Sequence, residues 1–173
     1  MVNIALVGCN GKMGKAVTSA VQSRNDCEIV FGADPFGTPA YDYPVFESLA
    51  VSDKKADVII DFSNPASLDD ILAYALEKKI PCVLCTTGYS PEQVEKIKKA
   101  SESVAVFYSG NMSLGINLLI ELSKEAAKIL GAADFDIEIV EKHHNQKIDA
   151  PSGTALMIAD GISDTLAEEP PYV

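Results

Sequence analysis

Residues 3–14 read NIALVGCNGKMG, a short apolar run followed by three glycines, Gly8, Gly11 and Gly14. NIALV (3–7) has the length and composition of a buried strand, and the periodicity beyond it predicts a helix near 12–24. A glycine turn between strand and helix lets the backbone approach a pyrophosphate, which rests on the N–H groups that open the helix. Asp34 ends the next apolar run, EIVFGA (28–33), 20 positions after Gly14. That is where a carboxylate accepts hydrogen bonds from an adenosine ribose. The spacing is G-x-x-G-x-x-G rather than G-x-G-x-x-G, so Asn10 is expected at a turn position that glycine often fills, and Asn tolerates the left-handed region. A tight turn with no ligand is the competing reading. Strand, helix and Asp34 in register favour a dinucleotide. Lys12 has the reach for a 2′-phosphate whereas Asp34 repels one, so NADH and NADPH both stay open; Asp34 followed by Pro35 rather than Arg favours NADH.

Working outward, βα units repeat through the first hundred residues. Residues 34–50 are irregular. DVIIDF (57–62) is a third strand, and Pro65 is placed in the first turn of a helix to about 78. PCVLCTT (81–87) is a strand, and Ser90-Pro91-Glu92-Gln93 carries the cap, proline and glutamine that open a helix to about 100. SVAVFYS (103–109) closes the series. Near-continuous apolar strands alternating with helices predict a parallel, Rossmann-like α/β sheet covered on both faces.

The pattern then changes. Residues 113–131 form one long amphipathic helix, ended by Gly131. FDIEIVEKHH (135–144) alternates as a half-exposed strand of a different sheet, and Pro151-Ser152-Gly153-Thr154 introduces a helix to about 167. A dinucleotide-binding domain over 1–112 and a smaller α+β domain over 113–173 are expected.

Of 173 residues, 47% are hydrophobic, which supports a real core. The net charge of −11, with no basic run, argues against a nucleic-acid partner. It also means that an anionic ligand must be held by local positive potential. No run is long and apolar enough to span a membrane, and MVNIALVG has no signal architecture. The expectation is a cytoplasmic protein with reduced thiols at Cys9, Cys27, Cys82 and Cys85. Cys82 and Cys85 form a CxxC inside a strand rather than at a helix start, so they are read as structural. No metal is expected, because two further zinc ligands at a matching spacing are missing.

Both histidines of the chain lie in EKHHNQKIDAPSGTA (141–155). On a strand, His143 and His144 point to opposite faces and cannot easily share a metal. Read as chemistry, His143 or His144 is a proton donor, histidine being the side chain whose unperturbed pKa lies near neutrality. Lys147 adds a cation, and Ser152-Gly153-Thr154 at a helix start offers N–H groups and hydroxyls to a carboxylate. An ordinary polar strand end and loop is the alternative.

This run resembles the signature of 4-hydroxy-tetrahydrodipicolinate (dihydrodipicolinate) reductases, E-x-H-H-x-x-K-x-D-A-P-S-G-T-A, at every fixed position. VGCNGKMG is similar to the family's first loop, and Thr86-Thr87-Gly88 to its T-T-G turn, with Cys85 where many members carry glycine. Residues 109–113, SGNMS, resemble the hinge before the long helix. The resemblance implies NAD(P)H-dependent reduction of a cyclic imine dicarboxylate to tetrahydrodipicolinate, in diaminopimelate and lysine biosynthesis. It implies His143 as acid/base, Lys147 as the cation that binds and polarises substrate, and His144, Ser152, Gly153 and Thr154 as holders of substrate carboxylates. Gly8, Gly11, Lys12, Met13 and Asp34 would surround the dinucleotide, with Thr86, Gly88 and Asn111 near its nicotinamide. The second domain would bind substrate and form a homotetramer. Family members continue with further strands of that domain, so an incomplete C-terminal part is expected. Two other readings stay open: a different NAD(P)-dependent dehydrogenase, which would carry a catalytic cysteine or another second-domain signature, and a dinucleotide-binding module without turnover.

Overall fold

The computed structural model describes residues 1–36, 41–133, 135–143, 145 and 150–166. The chain divides into two compact units, Met1–Gly110 and Asn111–Val173.

The first unit is a six-stranded, all-parallel sheet. Its strands are β1 (Val2–Val7), β2 (Cys27–Ala33), β3 (Val45–Phe46), β4 (Val58–Asp61), β5 (Cys82–Leu84) and β6 (Val106–Tyr108), in the order β3-β2-β1-β4-β5-β6. The order reverses between β1 and β4, and a ligand crevice opens beyond the carboxyl ends of the strands at such a switch point. Helices α1 (Lys12–Gln22), α2 (Leu68–Lys78) and α3 (Pro91–Ser101) are the crossovers.

Successive β1 side chains serve opposite faces. Ile4 and Leu6 pack with Cys9, Val17 and Val21 on the α1 side, whereas Ala5 and Val7 join Phe31, Ile59, Leu68, Ile71 and Leu84 under α2 and α3. Leu6, Phe31, Ile59, Leu68 and Leu84 are fully buried. Burial on both faces explains why these strands are apolar throughout rather than alternating. The helix starts follow local chemistry. Ser90 and Gln93 close a reciprocal capping box at α3. Pro65 stands in a separate 3₁₀ turn, Pro65–Ser67, capped by Asn64, rather than in α2 itself. The 34–50 stretch, expected to be irregular, contains the edge strand β3, held by Gly32 N–H to Pro44 O and Asp34 N–H to Phe46 O, both 2.9 Å.

The second unit holds α4 (Leu114–Gly131) and α5 (Gly153–Ser163), which pack together; Gly161 brings α5 close to the Ile120 and Lys124 side chains. The strand expected over 135–144 does not form in the described part of that segment, 135–143. A strand needs a ladder partner for its N–H and C=O groups, and the second unit offers no strand among the described residues.

Candidate functional site

At the switch point, Gly8 follows β1 with φ +74°, a conformation glycine adopts without cost. A Cβ at this position would lie 2.6 Å from the Phe62 carbonyl oxygen, so the loop after β1 touches the loop after β4 backbone to backbone. Gly11 N–H closes the turn on Gly8 O at 3.1 Å. Gly14 packs α1 against that turn, since a Cβ there would meet Cys9 Cα at 2.5 Å. Asn10 is not in the left-handed region expected of it; Lys79 is the only non-glycine residue with positive φ among the described residues. Gly8 makes the turn, and Asn10 instead reaches outward, donating its side-chain N–H to Phe36 O at 2.5 Å and its backbone N–H to Asp34 Oδ2 at 3.0 Å.

Asp34 is therefore fixed at both oxygens, Oδ1 accepting from Phe36 N–H at 2.9 Å. Each carboxylate oxygen keeps a further lone pair, which a ribose diol needs. Gly8, Gly11 and Asp34 line a cleft of about 550 Å³ together with Glu47, Phe62 and Ser63. Lys12 and Met13 begin α1 on the exposed side, Met13 at 52% exposure. Gly11 caps α1 without a side-chain bond, and no acidic residue occupies its first turn. The first-turn N–H groups, which have no partner inside the helix, thus meet no local carboxylate that would compete with a phosphate. The close backbone approach at Gly8, the uncapped helix start and the anchored Asp34 fit a dinucleotide, whose pyrophosphate would lie at α1 and whose adenosine ribose would lie at Asp34.

Two tyrosines brace this loop from the 41–43 segment. Tyr41 donates its hydroxyl hydrogen to Cys9 O at 2.8 Å, Tyr43 pairs with the Thr18 hydroxyl at 2.8 Å, and the two rings stack 4.8 Å apart. Burial pushes the Tyr43 hydroxyl up to about 12. Asp61, fully buried at the end of β4, accepts from Ser63 N–H at 2.9 Å, from the Ser63 hydroxyl at 2.5 Å and from the Tyr89 hydroxyl at 3.2 Å. One carboxylate thus ties the loop after β4 to the loop after β5, which carries the buried Thr86 and Gly88 at φ +81°. Tyr41, Tyr43 and Asp61 were not among the residues singled out from the sequence. The signal for Asp61 was a carboxylate closing an apolar strand at the edge of the crevice. Burial, and next the charge of Asp61, raise the Cys82 and Cys85 thiols to about 11, in keeping with structural rather than redox cysteines.

In the second unit, Ser152 caps α5, its hydroxyl accepting from Ala155 N–H at 3.0 Å, while its own N–H goes to Glu141 Oε1 at 2.8 Å. The Ser152 side chain holds the helix start. The N–H groups of Gly153 and Thr154 are the ones α5 itself leaves open, and among the described residues no atom lies within 4 Å of a Cβ built on Gly153. Thr154 Oγ1 lies 3.4 Å from Asn111 Nδ2, and Asn111 Oδ1 accepts from Ser113 N–H at 2.8 Å. His143 is 40% exposed, with Nδ1 3.5 Å from Glu141 Oε2. His144 and Lys147 lie outside the described residues. The structure thus brings Gly8, Gly11 and Asp34 to one cleft in the first unit, with Lys12 and Met13 at the start of α1 and Thr86 and Gly88 outside the cleft lining, and in the second it links His143 through Glu141 to Ser152, next to Gly153 and Thr154. Among the described residues, no helix is long and apolar enough to cross a membrane.

Comparison with known proteins agrees with this geometry. The family model for the N-terminal part of dihydrodipicolinate reductase matches residues 2–112, and that for its C-terminal part matches residues 115–171. A 4-hydroxy-tetrahydrodipicolinate reductase of Clostridium tetani is 51% identical over the whole chain, which covers 68% of that protein. One from Caldanaerobacter subterraneus is 49% identical with the same coverage. The dipicolinate-bound dihydrodipicolinate reductase of Paenisporosarcina sp. TG-14 superposes with a TM-score of 0.76 at 29% identity, over 95% of this chain and 66% of that one. The chain thus spans about two thirds of the length of these relatives. Taken with the switch-point cleft and the two matching halves, these similarities show that the chain belongs to the dihydrodipicolinate reductase family, a family of NAD(P)H-dependent oxidoreductases.

Proposed function

We propose that this chain carries out the reduction of 4-hydroxy-tetrahydrodipicolinate, or of its dehydrated form, to tetrahydrodipicolinate, with NADH as the preferred reductant. The observation that carries the proposal is the pairing of two sites in one chain: a glycine cradle with an anchored Asp34, and a histidine beside an open helix start. NADH preference rests on Asp34 and Glu47, which both line the cleft. A 2′-phosphate on the adenosine ribose would meet two carboxylates there.

The hydroxylated substrate must first lose water to become the conjugated imine, and a bound reduced nicotinamide would supply a hydride to its ring carbon. The ring then carries extra electron density, and completing the reduction takes one proton. His143 is proposed as the donor, an imidazolium N–H being able to deliver a proton to the electron-rich ring. Lys147 and His144 are proposed as the cation that polarises the imine and as a carboxylate contact. The open N–H groups of Gly153 and Thr154 would hold a substrate carboxylate at the positive end of α5. Thr86, Gly88 and Asn111 are proposed near the nicotinamide. The exposed apolar residues Leu114, Leu118 and Leu122 of α4 suit the homotetramer proposed for the complete assembly. Cytoplasmic residence belongs to the same proposal, and all four thiols are free.

The test is His143→Gln in a form of the protein that turns over. Turnover should fall by about 10²–10⁴-fold, the usual contribution of a positioned acid–base group, with NADH binding little changed. Near-normal turnover would remove His143 from this role.

A further inference from the structure

The carboxylate that opens the histidine run has contacts that a surface charge would not need. Glu141 and His143 are two residues apart, and the approach of Glu141 Oε2 to His143 Nδ1 puts their side chains on the same side of the segment. Glu141 Oε1 accepts the Ser152 N–H at 2.8 Å, and its Oε2 faces His143 Nδ1 at 3.5 Å. Side-chain exposure is 28% for Glu141 against 40% for His143, so the carboxylate is the more sheltered partner. Its position at the N-terminal end of α5 also suits a negative charge.

We propose that Glu141 is a positioning residue: anchored by one oxygen to the start of α5, it uses the other to accept the Nδ1–H of His143, so that the imidazolium presents its second proton on Nε2 to the substrate and returns to the neutral Nδ1–H tautomer once that proton is delivered. The inference rests on the reading of His143 as proton donor and extends it to the residue that sets the tautomer. A carboxylate is acceptor-only, so it selects N–H on the imidazole nitrogen it faces, and the hydrogen bond at one ring nitrogen decides the state of the other. A separation of 3.5 Å is at the outer edge of hydrogen bonding and within ion-pair range. Contacts of this kind often tighten when substrate binds.

Glu141→Gln separates positioning from support of the helix. The amide oxygen still accepts the Ser152 N–H, but an NH₂ group facing His143 can only donate, which drives the imidazole proton to Nε2. ¹⁵N NMR of the imidazoles is the primary readout, with His143 assigned through a His144 variant, and it needs no turnover. The wild-type protein should show the Nδ1–H tautomer for neutral His143, and Glu141→Gln should show Nε2–H with an unchanged melting temperature. Turnover should fall on the order of 100-fold in Glu141→Gln, at an unchanged KM for NADH. An Nε2–H tautomer already present in the wild type overturns the inference without any variant, and so does an unchanged tautomer in Glu141→Gln. A tautomer switch combined with normal turnover in His143→Gln supports the Glu141–His143 coupling while refuting His143 as the donor, so the two failures are distinguishable.

Discussion

Adding one methyl group at Gly14 tests the cofactor cradle. The new Cβ would lie 2.5 Å from Cys9 Cα, with the Gly8 carbonyl oxygen also in its path, and both are backbone atoms that no side-chain rotation can clear. Ordinary contact begins near 3.4 Å, and the Gly8 oxygen lies nearer than Cys9 Cα, so the start of α1 must move away from the loop by about 1 Å. Overpacking of this kind costs about 1–3 kcal/mol, against which alanine in a helix gains about 1 kcal/mol over glycine. The expected net loss is about 0–2 kcal/mol, up to several degrees in melting temperature for a unit of this size. The larger effect should fall on binding, because the first-turn N–H groups move with α1 relative to Asp34. Kd for NADH should rise about tenfold or more, equivalent to about 1.4 kcal/mol. Gly115→Ala on α4 is the matched control: its Cβ would meet only Ser113 Oγ at 3.8 Å, and it should gain about 0.4–1 kcal/mol. Thermal unfolding and titration of NADH fluorescence, undisturbed by tryptophan since the chain has none, read both effects. A Gly14→Ala protein as stable as the parent, with unchanged NADH affinity, would refute the close packing of α1 on the loop.

Other outcomes follow from single residues. Lys79 ends α2 in the left-handed region at φ 55°, so Lys79→Gly should raise stability by about 1 kcal/mol, seen as a higher melting temperature. Gly153→Ala keeps a normal helical backbone in open space; it should leave or raise stability while raising KM for the dicarboxylate substrate, and an unchanged KM would count against the carboxylate site at α5. Burial raises the Cys9, Cys82 and Cys85 thiols to about 11, so at pH 8 these three should alkylate far more slowly in the folded chain than in denaturant, as read by mass spectrometry. The same shift has a sign for stability. Below the ordinary value of 9 both states keep these protons; from there up to about 11 the unfolded chain releases protons that the folded chain retains, so stability falls over that window, as measured by denaturant midpoints.

The parallel sheet was legible because its strands are buried on both faces and leave uninterrupted apolar runs, NIALV and DVII among them. Asp34 was legible because a fixed βα unit sets its distance from the glycines. What could not be read depends on residues distant in sequence. β3 is only Val45–Phe46 and is defined by its bonds to Gly32 and Asp34, which no local pattern announces. The positive φ falls on Gly8 because Phe62, 54 positions later, crowds it; Asn10 is drawn instead to Asp34 and Phe36. Segment 135–143 alternates like a strand, yet alternation fixes only which side chains share a face and cannot supply a ladder. The histidine run revealed its residue types, while the division of labour at Ser152, cap for α5 and donor to Glu141, emerged only from the geometry.

The most direct test of the central claim is NADH oxidation by this 173-residue chain, with substrate formed in place by the synthase that makes it, run beside the His143→Gln variant. Substrate-dependent loss of NADH absorbance is expected, collapsing in the variant while both proteins still bind NADH. No consumption of NADH or NADPH by the unaltered chain, or consumption undiminished in the variant, would contradict that claim.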